Sequence, residues 1–126
     1  MTHLDEWNRA RRNAAHTYNE LLQDAPEVAT PQEGGDRTHV YHLNVIQHPR
    51  RDDLLAFLKD KGVRAGLHYP IPVHLQPCYE GVPVLQDSLS VTESVASRVI
   101  FLPMYPELTR AQIEFVCDQV RAFPTN

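Results

Sequence analysis

The stretch GLHYPIPVHLQPCYEG, Gly66 to Gly81, decides how the rest of the chain must be arranged. Pro70, Pro72 and Pro77 each fix φ and remove a backbone donor, so the segment forms neither a helix nor a central strand. The residue before a proline is driven toward extended geometry, which stiffens Tyr69 and Ile71. The stretch is therefore a rigid loop carrying His68, His74, Tyr69 and Tyr79. Two readings stay open from the residues alone. In one, Tyr69 and Tyr79 pack against a sheet and the prolines lower the entropy of the unfolded chain. In the other, the imidazole and phenol groups are presented to a polar ligand such as a sugar hydroxyl or a phosphate.

The flanking segments on either side read as regular structure. Upstream, Leu4, Trp7, Ala10, Ala14, Tyr18 and Leu21 recur at helical spacing, predicting a helix from Thr2, as N-cap, to about Gln23. Asp24 to Thr38, with Pro26, Pro31, Gly34 and Gly35, is a polar loop. HVYHLNVIQ, His39 to Gln47, is rich in β-formers and predicts a strand. Arg51 to Lys61 predicts a short helix with Leu54, Leu55 and Leu58 on one face and Gly62 at its C′ position. Val63 to Leu67 then reads as a brief strand.

Downstream, Val84 to Ser90 is irregular. Ser90 and Glu93 have capping-box spacing, predicting a helix over Val91–Arg98. Val99–Leu102 reads as a strand stopped by Pro103 and Pro106. Thr109 and Gln112 form a second capping box for a helix to about Phe123, with Ile113, Val116, Cys117, Val120 and Phe123 on its buried face. The FLPMYPELT stretch, Phe101 to Thr109, is architecture that closes a strand and caps a helix. The fold class is α+β, a small sheet with helices packed on it.

Composition bounds the function. In 126 residues there is room for one domain; 42% apolar and 22% charged residues are the proportions of an ordinary globular protein. A formal charge of −4 argues against a nucleic-acid partner, for which a basic stripe is expected. No apolar run approaches the roughly 18 residues that would span a bilayer. The N-terminus lacks an apolar signal core, and Asp5 and Glu6 argue against a transit peptide. Two cysteines, Cys78 and Cys117, make neither a disulfide framework nor a spaced metal pair, so a reduced, cytoplasmic setting is expected.

Metal and nucleophile readings are weak. His39 and His42 would point to opposite faces of a strand, and His68 and His74 have no carboxylate between them to complete a site. Cys117 reads as a small hydrophobe of the last helix. Nothing beside Cys78 in sequence would depress its pKa. Asp52 and Asp53 read as helix N-terminal carboxylates facing the dipole, not as an acid–base pair.

The ordered segments RRNAAHTYNELL, VYHLNVI, RDDLLAFLKDKGV, HYPIPVHLQPCY, VTESVASRVIFLPMYPELT and QIEFVCDQVRAF together resemble the C-terminal domain of the DegT/StrS family. These are pyridoxal-phosphate-dependent aminotransferases acting on nucleotide-linked keto sugars. The resemblance implies a fold-type-I aminotransferase small domain over residues 1–126: a small, mainly antiparallel sheet covered by helices. It implies packing on a larger pyridoxal-phosphate-binding domain that these residues do not include, and a homodimer with active sites at the subunit interface. Carried over residue by residue, His68 and Tyr69 of the HYP motif would face the nucleotide-sugar side of the cleft, with His74 and Gln76 nearby. Their expected work is hydrogen bonding to sugar or phosphate oxygens, not proton transfer, so no catalytic residue is assigned.

The departures from the family pattern are Asn44, where an aromatic is usual, and Leu89-Ser90, where Phe-Pro or Leu-Pro is usual before V-T-E; both read as peripheral. Transamination needs a lysine and a phosphate cup. Lys59 and Lys61, the two lysines, lie outside the family's lysine motif, so these residues alone are expected neither to bind the cofactor nor to transaminate. A second expectation, of another class, is a free-standing non-catalytic module that binds a nucleotide sugar or a partner aminotransferase. Trp7 and the alanine stripe would then form an exposed apolar patch.

Overall fold

Alanines and one tyrosine at helical spacing draw the first segment onto the body of the molecule as α1, Leu4–Leu22. The architecture comes from a computed structural model, in which residues 2–81 and 89–125 are described. His3, not Thr2, stands at the N-cap, and no side chain caps it; Asp5 and Glu6 in the first turn face the positive end of the dipole instead. Ala14, Ala15, Tyr18 and Leu22 are buried. The predicted Leu21 is only half-buried, because the stripe drifts round the helix by one position at its end. At the other end Leu4 and Trp7 remain 41% and 46% exposed.

Strand β1 is Asn44–Gln47 and β2 is Val99–Leu102, paired antiparallel with Asn44 opposite Leu102 and Ile46 opposite Ile100. The predicted strand from His39 is shorter than its composition suggested. Tyr41 adopts a positive φ of 46°, and His39 Nδ1 accepts its backbone N–H at 2.7 Å, so this stretch is a turn. The buried ring of Tyr41 anchors that turn, and burial, with Glu33 beside it, raises its phenol pKa.

The predicted strand Val63–Leu67 is reduced to one bridge. Gly66 exchanges both backbone hydrogen bonds with Phe101, at 3.1 and 2.8 Å. On the far edge Ala29 does the same with Gln47. The sheet is thus two short strands with a single antiparallel bridge on each side.

Helix α2, Arg51–Asp60, follows β1 and buries Leu54 and Leu58. It ends as its sequence requires. Gly62, at φ 78°, donates to the Lys59 carbonyl at 3.0 Å and Val63 to that of Leu58 at 2.8 Å. These are the two bonds of a Schellman stop, closed by the buried pair Leu58 and Val63. The rigid loop contains two 3₁₀ turns, Val73–Leu75 and Pro77–Tyr79.

Helix α3 is Ser90–Ala96, with Leu89 at the N-cap and no side-chain cap, so the expected Ser90/Glu93 capping box does not form. The irregular stretch expected from Val84 falls, up to residue 88, outside the described residues. Helix α4, Arg110–Arg121, starts from the predicted capping box: Gln112 N–H donates to Thr109 Oγ1 and Thr109 N–H to Gln112 Oε1.

The core lies between one sheet face and three helices. Ile46, Ile100 and Leu102 meet Tyr18 and Leu22 of α1, Leu54 and Leu58 of α2, and Ile113, Val116, Cys117 and Val120 of α4. Each aliphatic side chain among these, fully buried, contributes roughly 1.5–3 kcal/mol. The Tyr18 hydroxyl donates to the Pro103 carbonyl at 3.0 Å, and Arg121 reaches from α4 to the Leu21 carbonyl of α1. Burial raises the Tyr18 phenol pKa and pushes the Cys117 thiol up to about 12, which makes Cys117 the inert hydrophobe its position predicts.

Asn44 is the exception in this core. Its side chain is fully buried on the helix-facing side of β1, and neither amide atom has a hydrogen-bond partner among the described residues. It is central, not peripheral as expected.

Candidate functional site

The opposite face of the sheet is where the loop returns. Side chains alternate along β2, so Ile100 and Leu102 enter the core while Val99 and Phe101 stand on the other side, half-buried. The absence of a side chain at Gly66 lets the adjacent chain lie beneath the Phe101 ring; a Cβ there would come within 2.5 Å of it. Phe101 in turn holds His68 edge-on, with ring centroids 6.1 Å apart and planes at 84°. His68 stacks on Tyr69 at 4.2 Å. The peptide joining those two residues is cis. Gly66 and His68 thus both lie against the Phe101 ring of β2, and Tyr69 stacks on His68.

Beside these rings lies a hollow of about 560 Å³. One wall is the loop, with His68, Tyr69 and Gln76. The other is α3, with Thr92, Val95 and Ala96, and Val99 of β2 forms its base. Tyr69 is 73% exposed and Tyr79 40%, so neither ring is buried against the sheet. The lining is mostly aliphatic with an imidazole, a phenol, an amide and a hydroxyl. That combination suits a ligand with an apolar ring edge and several hydroxyls.

Of the four residues expected at a site, three line the hollow and one does not. His68 and Tyr69 line the hollow side by side. Gln76 also lines it, while its Nε2 donates to the Ile71 carbonyl at 3.1 Å, folding the loop upon itself. His74 does not line it. Its Nε2 lies 3.0 Å from Oε1 of Glu93 on α3. The carboxylate that sequence spacing could not find for His74 therefore arrives from a separate helix. The spacing of Glu93 from Ser90 predicts a helix cap, and the side chain turns to the loop instead.

Phe101 and the α3 residues were also missed. Their place at the site follows only from strand pairing and the return of the chain. A second concavity, of about 720 Å³, lies along α4 between Gly62–Arg64, Tyr105 and Phe115, and holds none of the four residues.

The residues present do not fit pyridoxal phosphate. Lys61 lies beside Asp60 at 4.0 Å and over the Phe57 ring at 5.4 Å, at the exposed end of α2. Lys59 is exposed on the same turn. Neither lysine, and no arginine, lines the hollow among the described residues. Among these residues, too, no helix is long and apolar enough to cross a membrane, and no three His, Cys, Asp or Glu side chains gather to hold a metal ion.

The chain is 40% identical over 123 residues to a pleiotropic regulatory protein of Geobacillus stearothermophilus, covering 96% of this chain and 33% of that protein. It is 39% identical over 121 residues to dTDP-3-amino-3,4,6-trideoxy-alpha-D-glucose transaminase of Streptomyces venezuelae, covering 96% and 32%. Among solved structures, S. venezuelae DesV in complex with a ketimine intermediate superposes with a TM-score of 0.90 at 38% identity, over 97% of this chain and 33% of that one. The chain spans about a third of the length of these relatives. Residues 1–121 match the model of one family, and the chain belongs to it: the DegT/DnrJ/EryC1/StrS aminotransferase family.

Proposed function

We propose that this chain is the C-terminal small domain of a pyridoxal-phosphate-dependent aminotransferase that converts a nucleotide-linked keto-deoxysugar to an amino sugar. The lysine and the phosphate cup belong, in this reading, to a large domain outside these residues. The small domain supplies the substrate side. His68 Nε2 or Nδ1 and the Tyr69 hydroxyl hydrogen-bond sugar or phosphate oxygens, the Gln76 amide adds to them, and Val95, Ala96 and Val99 meet the ring's apolar edge. The exposed Leu4 and Trp7 of α1 pack on the large domain, and two such subunits assemble with the site between them.

The observation that carries the reading is the hollow itself. In a chain of this family, it gathers an imidazole, a phenol and an amide around an aliphatic floor, with no fixed charge suited to a cofactor phosphate. A relative at 39% identity carries the name of a dTDP-sugar transaminase, which agrees with that chemistry.

The test begins with the genomic sequence preceding the Met1 codon. The expected result is an in-frame domain with an aldimine lysine. The polypeptide so encoded, given pyridoxal phosphate, glutamate and a dTDP-linked keto sugar, should form the amino sugar. A coding frame that opens at Met1, whose product neither transaminates nor binds dTDP-sugars, would overturn the proposal.

A further inference from the structure

We infer that His74 and Glu93 are positioning residues: their side chains tie the loop wall of the hollow to its helix wall, and neither contacts the ligand. The inference rests on the function proposed above for this hollow and adds how the hollow is held to shape.

The two walls need such a tie. Helix α3 has seven residues and buries none of them, so apolar packing does little to hold it. At its C-terminal end Arg51 donates from Nη1 to the Ala96 carbonyl at 2.7 Å, which moors that end to α2. At its N-terminal end Glu93 meets His74 at 3.0 Å. The His74 side chain is only 17% exposed and that of Glu93 48%. The bond joins the first turn of α3 to the 3₁₀ turn Val73–Leu75, one residue from Thr92 and two from Gln76, which both line the hollow.

Within the loop, Gln76 closes back on the Ile71 carbonyl, so displacement of His74 is passed along a stiff, proline-braced segment toward Tyr69. His74 is thereby engaged away from the hollow, which it does not line, while Tyr69 and His68 face it. The imidazole can serve in either charge state: Nε2–H donates to the carboxylate both in the neutral tautomer protonated there and in the cation.

The experiment is a double-mutant cycle in the full-length protein: His74→Ala, Glu93→Ala and the pair together. Amide hydrogen exchange of the segments 66–81 and 90–96 is followed beside steady-state kinetics with a dTDP-linked keto sugar and glutamate. Each single change should speed exchange in both segments and leave α4 unaltered. Each should raise KM for the sugar nucleotide by roughly three- to tenfold, with KM for glutamate unmoved, and the double variant should be no worse than either single one. Additive effects of the two single changes, or unaltered exchange in segment 66–81, would overturn the inference. If the parent protein shows no amino transfer, the proposed function falls, and the exchange data still decide the tie.

Discussion

Gly66 lies so close beneath Phe101 that a Cβ on it would sit 2.5 Å from the tip of the aromatic ring, while the two residues exchange backbone hydrogen bonds at 3.1 and 2.8 Å. The glycine is required here by space. Gly66→Ala must push the Phe101 ring aside, and that ring supports His68 edge-on. The expected cost is about 1–3 kcal/mol by urea denaturation, with weakened binding of a nucleotide sugar to the full-length protein although Gly66 touches no ligand. Unchanged stability and affinity would show that the ring moves freely and is no support.

Asn44 gives a prediction of opposite sign. Its side chain is wholly buried, opposite Leu102 across the sheet, with no hydrogen-bond partner among the described residues. Leucine has the same number of side-chain heavy atoms in the same branched order and no polar atoms to desolvate. Asn44→Leu should therefore stabilise the protein by about 1–2 kcal/mol. A fall in the melting temperature would mean that the amide is satisfied in solution.

His48 makes stability depend on pH. It is 3% exposed, its Nδ1 accepts the Arg50 N–H at 3.0 Å, and Phe123 stands edge-on to it. Burial lowers its pKa below the ordinary 6.5, against the opposing pull of Glu27. Above 6.5 the ring is neutral in both states and the stability is at its plateau. As the pH falls through that value the unfolded chain takes up a proton that the folded ring resists, so stability declines until the lowered folded value is passed. Urea midpoints measured at pH 8 and at pH 5.5 should show this decline, and His48→Gln should flatten it. An equal slope in the variant would assign the effect to other groups.

His68 tests the site directly. In the full-length protein, His68→Ala should weaken a dTDP-linked sugar about tenfold, the worth of one good hydrogen bond in a partly desolvated cleft, and leave the affinity for pyridoxal phosphate as it was. Titration calorimetry with each ligand in turn measures both. A matched loss for the two would place His68 near the cofactor; no loss for either would take it out of the site.

Local chemistry made much of the fold legible. The Gly62 stop, the Thr109–Gln112 capping box and the buried face of α4 are written within a few residues of sequence, and each forms as the pattern demands. Elsewhere a long-range contact overrules a local preference. His39–Leu43 has the composition of a strand but becomes a turn, because Tyr41 is anchored in a buried site and His39 caps its N–H. Val63–Leu67 keeps one bridge, at Gly66, and the chain then leaves β2 for the proline-rich loop. Ser90 and Glu93 have the spacing of a cap, but Glu93 finds a better partner in His74, nineteen positions away.

The amino-acid order alone determined which segments could be helix, that Gly66–Gly81 had to be a stiff loop, and that His68 and Tyr69 would be offered together. Those outcomes depend on φ restriction, capping and apolar spacing, all of which act over a turn or two of chain. Only the tertiary structure decided which face of β2 receives that loop, that α3 supplies the opposite wall, and that His74 turns away to grip Glu93. Such choices depend on where a sheet's second face is left uncovered once the core has closed, and no neighbour in sequence carries that information.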